Sequence, residues 1–200
     1  AGGRHQSRFP KRQATSTYTT NTICNSLRAI AVGAYDAEDA RRPPTSFSSS
    51  GPTADGRQKP ELVAPGARIR AARSLPEGGW NGESRLTVKS GTSMAAPWVS
   101  GTVALMFEAA GRPMTIHEVR RILVRSAEAP RRRRKGVSAR LGYGYLNVES
   151  AVSEARKLAG RSDRSILDEG AFESLAAAPY IEAPDETGPV AASGPPSHEF

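Results

Sequence analysis

Residues 86–111 place three signals end to end. Leu86-Thr87-Val88 is a short β-type run, Ser90-Gly91 is a turn, and an apolar stretch runs on from Ser93 to Ala110. Val99, Val103, Met106 and Ala110 recur at helical spacing, and Leu105 and Phe107 make the other sides apolar too. This predicts a strand feeding a helix over 93–110 that is buried on most sides. Gly111, with Pro113 beyond it, supplies the stop. A strand that runs straight into a buried helix is the joint of an α/β layer fold.

The rest of the chain supplies matching parts. Ala29–Ala34 is a short apolar run between polar neighbours, as in a buried parallel strand. Glu61-Leu62-Val63-Ala64 reads as a second strand, opened by Pro60 and stopped by Pro65-Gly66. Arg68–Ala72, alternating Arg with Ile and Ala, reads as a third. Asp36–Thr45 and Ser46–Thr53 are turn-rich, and Leu75–Ser84 is a Gly-rich loop carrying Trp80. Thr115-Ile116-His117-Glu118 is a capping box that opens a second helix. Ile116, Val119, Ile122 and Leu123 form its apolar stripe, which leaves Arg120, Arg121 and Arg125 toward water. Leu141–Leu146 is a turn and a short extended piece, and Asn147 caps a last helix through Leu158. Residues 1–19 read as lead-in and 20–159 as the folded part. Residues 160–200 read as an acidic Pro/Ala/Gly-rich tail with little to bury.

Charge and cysteine use narrow the function classes. The net charge is +8, yet no Lys or Arg lies beyond Arg164. The positive charge is spread along the body, which argues against a dedicated nucleic-acid or lipid face. The exception is Arg131-Arg132-Arg133-Arg134-Lys135, read as a solvated loop, with a nucleic-acid contact or a processing site as the alternatives. The single Cys24 excludes an intrachain disulfide and a Cys-built zinc site. Cys24 reads as a small buried filler rather than a reactive thiol. No run approaches the length of a membrane-spanning helix. The start, Ala1-Gly2-Gly3-Arg4, has neither an initiator Met nor a signal-peptide pattern, which suggests processing or a fragment.

Chemistry concentrates at Lys89-Ser90-Gly91-Thr92-Ser93-Met94-Ala95-Ala96-Pro97. With Thr92 as N-cap, Ser93 sits on the first helical turn. Its N–H there has no partner within the helix and faces the positive end of the dipole. Gly91 allows a sharp turn and a close approach of substrate, and Ala95 and Ala96 keep the nearby surface low. Pro97 lacks an N–H and leaves the carbonyl of Ser93 without its helical partner. On residue types alone, Ser93 is either a filler in a strand–turn–helix joint or a nucleophile awaiting a base and oxyanion donors.

The segment Gly91-Thr92-Ser93-Met94-Ala95-Ala96-Pro97 resembles the nucleophile motif of subtilisin-like serine peptidases, the subtilases. Ile30–Ala34, Ser46–Thr53, Lys59–Gly66 and Gly144–Asn147 with Ala151 are similar to further family segments, in the family's order, over roughly residues 20–158. The resemblance implies a three-layer α/β/α sandwich with a mainly parallel sheet, of which this chain carries the C-terminal half. It implies a serine-type endopeptidase that cleaves polypeptide substrates through an acyl-enzyme on Ser93. Ser93 N–H would be one oxyanion donor, with Gly91, Thr92, Met94, Ala95 and Pro97 as motif support. Thr22, Ile23 and Cys24 would lie near a wall of the specificity pocket. Calcium is often bound in the family, and secretion is common, although no acidic ligand cluster is readable here.

The family's order is Asp, His, Ser. Only His5 precedes Ser93, and its surroundings do not resemble the family's His motif. Asn21 and Asn25 lie too close to the first strand to match the side-chain oxyanion donor. His117 reads as a surface residue, and His198 falls in the tail. The expected partner is therefore the missing N-terminal part of the same catalytic domain, which would bring Asp and His. Without it the chain is expected to be inactive, with an open sheet edge and an uncovered apolar face. Three other readings remain. One is a catalytically dead remnant. The second is a basic binding module using 131–135. The third is an α/β-hydrolase pairing Ser93 with Asp163 or Asp168 and His198, which Ala95 disfavours where a second glycine belongs.

Overall fold

The sheet is built around one central strand. In the computed structural model, which describes residues 10–74, 84–130 and 137–159, β1 (Val32–Tyr35) pairs in parallel with β2 (Leu62–Pro65). The register sets Val32 against Leu62 and Ala34 against Ala64. On the other side of β2, Val63 bridges Tyr145 in parallel, through Val63 N–H to Gly144 O (3.0 Å) and Leu146 N–H to Val63 O (2.9 Å). Buried on both sides, β2 reads as the continuous apolar run Leu-Val-Ala.

β3 (Ile69–Ala72) and β4 (Leu86–Lys89) form an antiparallel pair. Among the described residues the strands thus make two separate two-stranded sheets, one parallel and one antiparallel, rather than a single mainly parallel sheet. Both strands of the antiparallel pair are largely solvated, as their Arg, Thr and Lys content requires.

Three helices follow. α1 (Thr92–Ala110) ends at Gly111, whose left-handed backbone (φ 65°) lets its N–H donate to Phe107 O and Glu108 O, each at 3.1 Å. α2 (Ile116–Ser126) opens on the expected capping box: Glu118 N–H donates to Thr115 Oγ1 (3.2 Å) and Thr115 N–H to Glu118 Oε2 (2.8 Å). α3 (Val148–Arg156) is capped by Asn147, which accepts from Ser150 N–H (2.9 Å). The core gathers Ala34, Leu62 and Ala64 from the parallel pair, Ala95, Val99 and Met106 from α1, and Val119, Ile122, Leu123, Ala151 and Ala155 from the other helices. Burying each of its larger side chains contributes roughly 1.5–3 kcal/mol.

Two expectations need correction. α1 is covered on one stripe only, through Ala95, Val99, Thr102, Met106 and Ala110. Trp98, Leu105 and Phe107 remain 48%, 47% and 40% exposed, because they flank that stripe instead of continuing it. Arg120 does not face water. It is buried, with its guanidinium donating to the carbonyl of Ala29 (3.0 Å) and ion-paired with Glu61. Its amphipathic position is overridden by a buried carboxylate supplied from a distant part of the chain.

Several sequence expectations lie outside the described residues: the Trp80 loop, the 131–135 run, the tail from 160, His5, His198, Asp163 and Asp168.

Candidate active site

β4 delivers the chain to Ser90-Gly91, and α1 starts at Thr92. The N-cap is Gly91 and not Thr92: Thr92 already has helical backbone, and no side chain caps this end. Ser93 is exposed on the first turn. The unpaired N–H groups and the positive dipole end of this 19-residue helix lie at the same turn. Ala95 is fully buried beneath the turn, so it anchors the motif in the core instead of lowering the surface beside the serine. Ala96 and Pro97 are exposed, and Pro97 leaves the Ser93 carbonyl without a helical donor.

The turn that carries Ser93 is fixed from below by a relay of main-chain bonds. Gly91 N–H donates to Gly66 O (2.8 Å), and Gly66 N–H donates to Tyr35 O (3.0 Å), the last residue of β1. A Cβ on Gly66 would stand 2.5 Å from the Ala34 methyl and 3.0 Å from Gly91 O, so only glycine permits this approach. Beside it, Arg68 has left-handed backbone (φ 52°) and donates its N–H to Ser90 Oγ (2.9 Å). Its guanidinium grips Asp36 through Nη2 (2.6 and 2.8 Å to the two oxygens) and also bonds Glu38. Ser90 is thus tied to an acidic loop at the end of β1.

The hydrogen bond from Arg68 holds the Asp36 carboxyl below its ordinary value of 3.8. A depressed carboxyl contributes stability above its unfolded pKa and loses it as pH falls through the folded one. The Arg68–Asp36 tie should therefore persist from neutral pH down past 3.8 and fail only in more acidic solution. Following the Asp36 carboxyl carbon by NMR against pH checks this. The midpoint is expected below 3.8 in the wild type and higher than that in Arg68→Ala, and a wild-type midpoint at or above 3.8 would refute it.

The other sequence candidates are placed less directly. Thr22 precedes a single 3-10 turn at Ile23–Asn25, held by local bonds: Cys24 N–H to Asn21 Oδ1 (3.0 Å) and Asn25 N–H to Thr22 O (3.1 Å). Ile23 is exposed, and Cys24 is a half-buried free thiol rather than a fully buried filler. None of these bonds brings 22–24 to Ser93. His117, the one histidine among the described residues, is exposed on the first turn of α2 and not on the turn that carries Ser93. Arg68, Asp36 and Gly66 were not singled out by sequence reasoning. Their contacts join segments distant in the chain, and Pro65-Gly66 signalled the end of a strand and of a family-like segment but not a contact with Gly91. Among the described residues, no group of three or more His, Cys, Asp or Glu is placed to hold a metal ion.

Comparison with known proteins points to one family. Residues 1–144 match the profile described as the Subtilase family. Bacillopeptidase F of Bacillus subtilis (strain 168) is 33% identical over 143 residues, covering 68% of this chain and 9% of the relative. Serine protease AprX of the same organism is 32% identical over 138 residues, covering 64% and 30%. Among solved structures, the Clostridium perfringens CspB protease matches with a TM-score of 0.61 at 28% identity, over 72% of this chain and 30% of that one. The chain thus spans less than a third of the length of these relatives.

Proposed function

We propose, because this chain belongs to the subtilase family, that it carries the nucleophile-bearing part of a serine-type endopeptidase. The observation that carries the reading is Ser93, exposed on the first turn of α1 within an intact Gly-Thr-Ser-Met-Ala-Ala-Pro segment, where strand β4 meets the helix. Ser93 Oγ attacks the scissile carbonyl carbon and gives its proton to a histidine base. The tetrahedral oxyanion takes a hydrogen bond from Ser93 N–H. The C–N bond breaks, the amine leaves with the proton, and water then hydrolyses the acyl-serine by the same route. This cycle needs no cofactor.

Asp, His and the side-chain oxyanion donor belong to the remainder of the catalytic domain, which is the first partner of this chain. That remainder also supplies further parallel strands and the second helical layer of a three-layer sandwich, with 20–159 as the C-terminal part of the domain. Polypeptide is the substrate, and Thr22, Ile23 and Cys24 stand at the edge of the pocket. Extracellular action is supported by relatives such as the Extracellular basic protease of Dichelobacter nodosus, 33% identical over 138 residues.

The test joins this chain to the Asp- and His-bearing remainder of the domain. The product is expected to hydrolyse casein and to be labelled by a fluorophosphonate at Ser93. Ser93→Ala is expected to lose both. Proteolysis that survives Ser93→Ala would refute the assignment.

A further inference from the structure

The cluster Lys59–Glu61–Arg120 is buried, charged and unused by the proposed chemistry. The three side chains are 4%, 6% and 8% exposed. Lys59 Nζ donates to Ala29 O (2.8 Å) and to Glu61 Oε1 (2.5 Å). Arg120 Nη2 donates to Leu27 O (2.5 Å) and Ala29 O (3.0 Å), and its Nε lies 3.3 Å from Glu61 Oε1. Glu61 Oε2 accepts the N–H of Ala31 (2.7 Å). Two carbonyls from the lead-in to β1 and a carboxylate from the entry to β2 therefore converge on one buried spot.

Carbonyl and carboxylate oxygens converging from separate segments are the donor chemistry of a hard cation such as calcium. Here every one of those oxygens is already bonded. Ala29 O accepts from both cationic side chains, and Glu61 Oε1 faces both. Two protein cations already stand against one carboxylate. A divalent ion would add like charge within a few ångströms in a low-dielectric setting, where the repulsion is large. The calcium that the family resemblance suggests does not fit this oxygen set.

We propose that the Leu27–Ala29–Glu61 oxygen cluster is a cation site filled from within. The Lys59 ammonium occupies it, backed by the Arg120 guanidinium, and the lead-in to β1 is held without a metal ion. Because both cations are covalently part of the chain, the lead-in to β1 is held at any calcium concentration. The 3-10 turn at Ile23–Asn25, just before Leu27, inherits that fixed position.

The amide of Ala31 reports on this cluster through its bond to Glu61. In the full chain its hydrogen exchange is expected to be the same in EDTA and in millimolar calcium. Slower exchange in calcium would overturn the proposal. Lys59→Met is expected to speed exchange at Ala31 about ten-fold or more, because a buried carboxylate loses its nearest counter-charge. Lys59→Arg, which keeps a cation beside Glu61, is expected to retain more of that protection than Lys59→Met. Wild-type exchange in Lys59→Met, or equal exchange in the two variants, would equally overturn it. Should Lys59→Met fail to fold, Lys59→Arg and the calcium comparison decide the matter.

Discussion

Left alone with a fluorophosphonate, the 200-residue chain is expected to leave Ser93 essentially unlabelled. The deficit relative to a complete triad is on the order of a million-fold, the cost in turnover when subtilisin, for which the family is named, loses its histidine. A serine hydroxyl is a poor nucleophile until a base takes its proton. Among the described residues the one histidine, His117, follows Ser93 in the chain and stands on α2, not on the turn that carries Ser93. What remains is the helix N-terminus and the Ser93 N–H, which stabilise an oxyanion but do not create the attacking species. Such residual electrostatics are worth roughly 10³–10⁴ over water. Intact-mass spectrometry after a timed incubation checks this. Rapid stoichiometric labelling of Ser93 in the isolated chain would show that a base is present after all.

Gly142→Ala is expected to prevent stable folding, whereas Gly56→Ala is expected to cost only about 1–2 kcal/mol. Both glycines have left-handed backbone, with φ of 58° and 82°. Their surroundings differ. A Cβ on Gly142 would fall 2.3 Å from Pro60 O and 2.4 Å from Glu61 O, which are main-chain atoms at the entry to β2. Around Gly56 nothing lies within 4 Å. Relief at Gly142 would have to pull the 138–145 turn away from β2, breaking Tyr143 N–H to Glu61 O (2.9 Å) and the bridge at Val63. A loss above about 4 kcal/mol is reasonable for such a position, against a whole-domain stability of about 5–15 kcal/mol. The half-exposed Trp98, Leu105 and Phe107 leave this chain less margin than a fully covered domain has. Urea unfolding of the two variants beside the wild type decides it, and equal midpoints for Gly142→Ala and Gly56→Ala would refute the steric argument.

Local signals in the sequence translated faithfully. The capping box at Thr115 and Glu118, the Asn147 cap and the Gly111 stop each act within a few residues, so their spacing carries the geometry. The turn that carries Ser93 was legible for the same reason, as a strand, a glycine and a helix start in succession. Strand direction was not, because a short apolar run has the same pattern whether its neighbour runs parallel or antiparallel. That is why Ile69–Ala72 and Leu86–Lys89 form a hairpin-like pair where one parallel sheet was expected. Arg120 shows a further limit: its helical phase indicates solvent, and the carboxylate that buries it is Glu61, far away in the chain. Arg68 reaching back to Asp36 and Glu38 is invisible in the same way.

The position of β2 has a consequence for the order of assembly. Val63 is matched with Gly33 on one side and with Tyr145 on the other, so its second neighbour is made long after the first. During synthesis from the N-terminus, β1 and β2 can meet early, but one edge of β2 stays open until the Tyr145 segment leaves the ribosome. By then all of α1, with its aromatic flanks, is already out. Contacts this distant in sequence are reached slowly, because the intervening chain must be closed into a loop first. The central strand therefore acts as a timer: the chain spends its longest vulnerable interval waiting for the Tyr145 segment, and truncation just before Gly142 should leave a species that chaperones and proteases treat as unfinished.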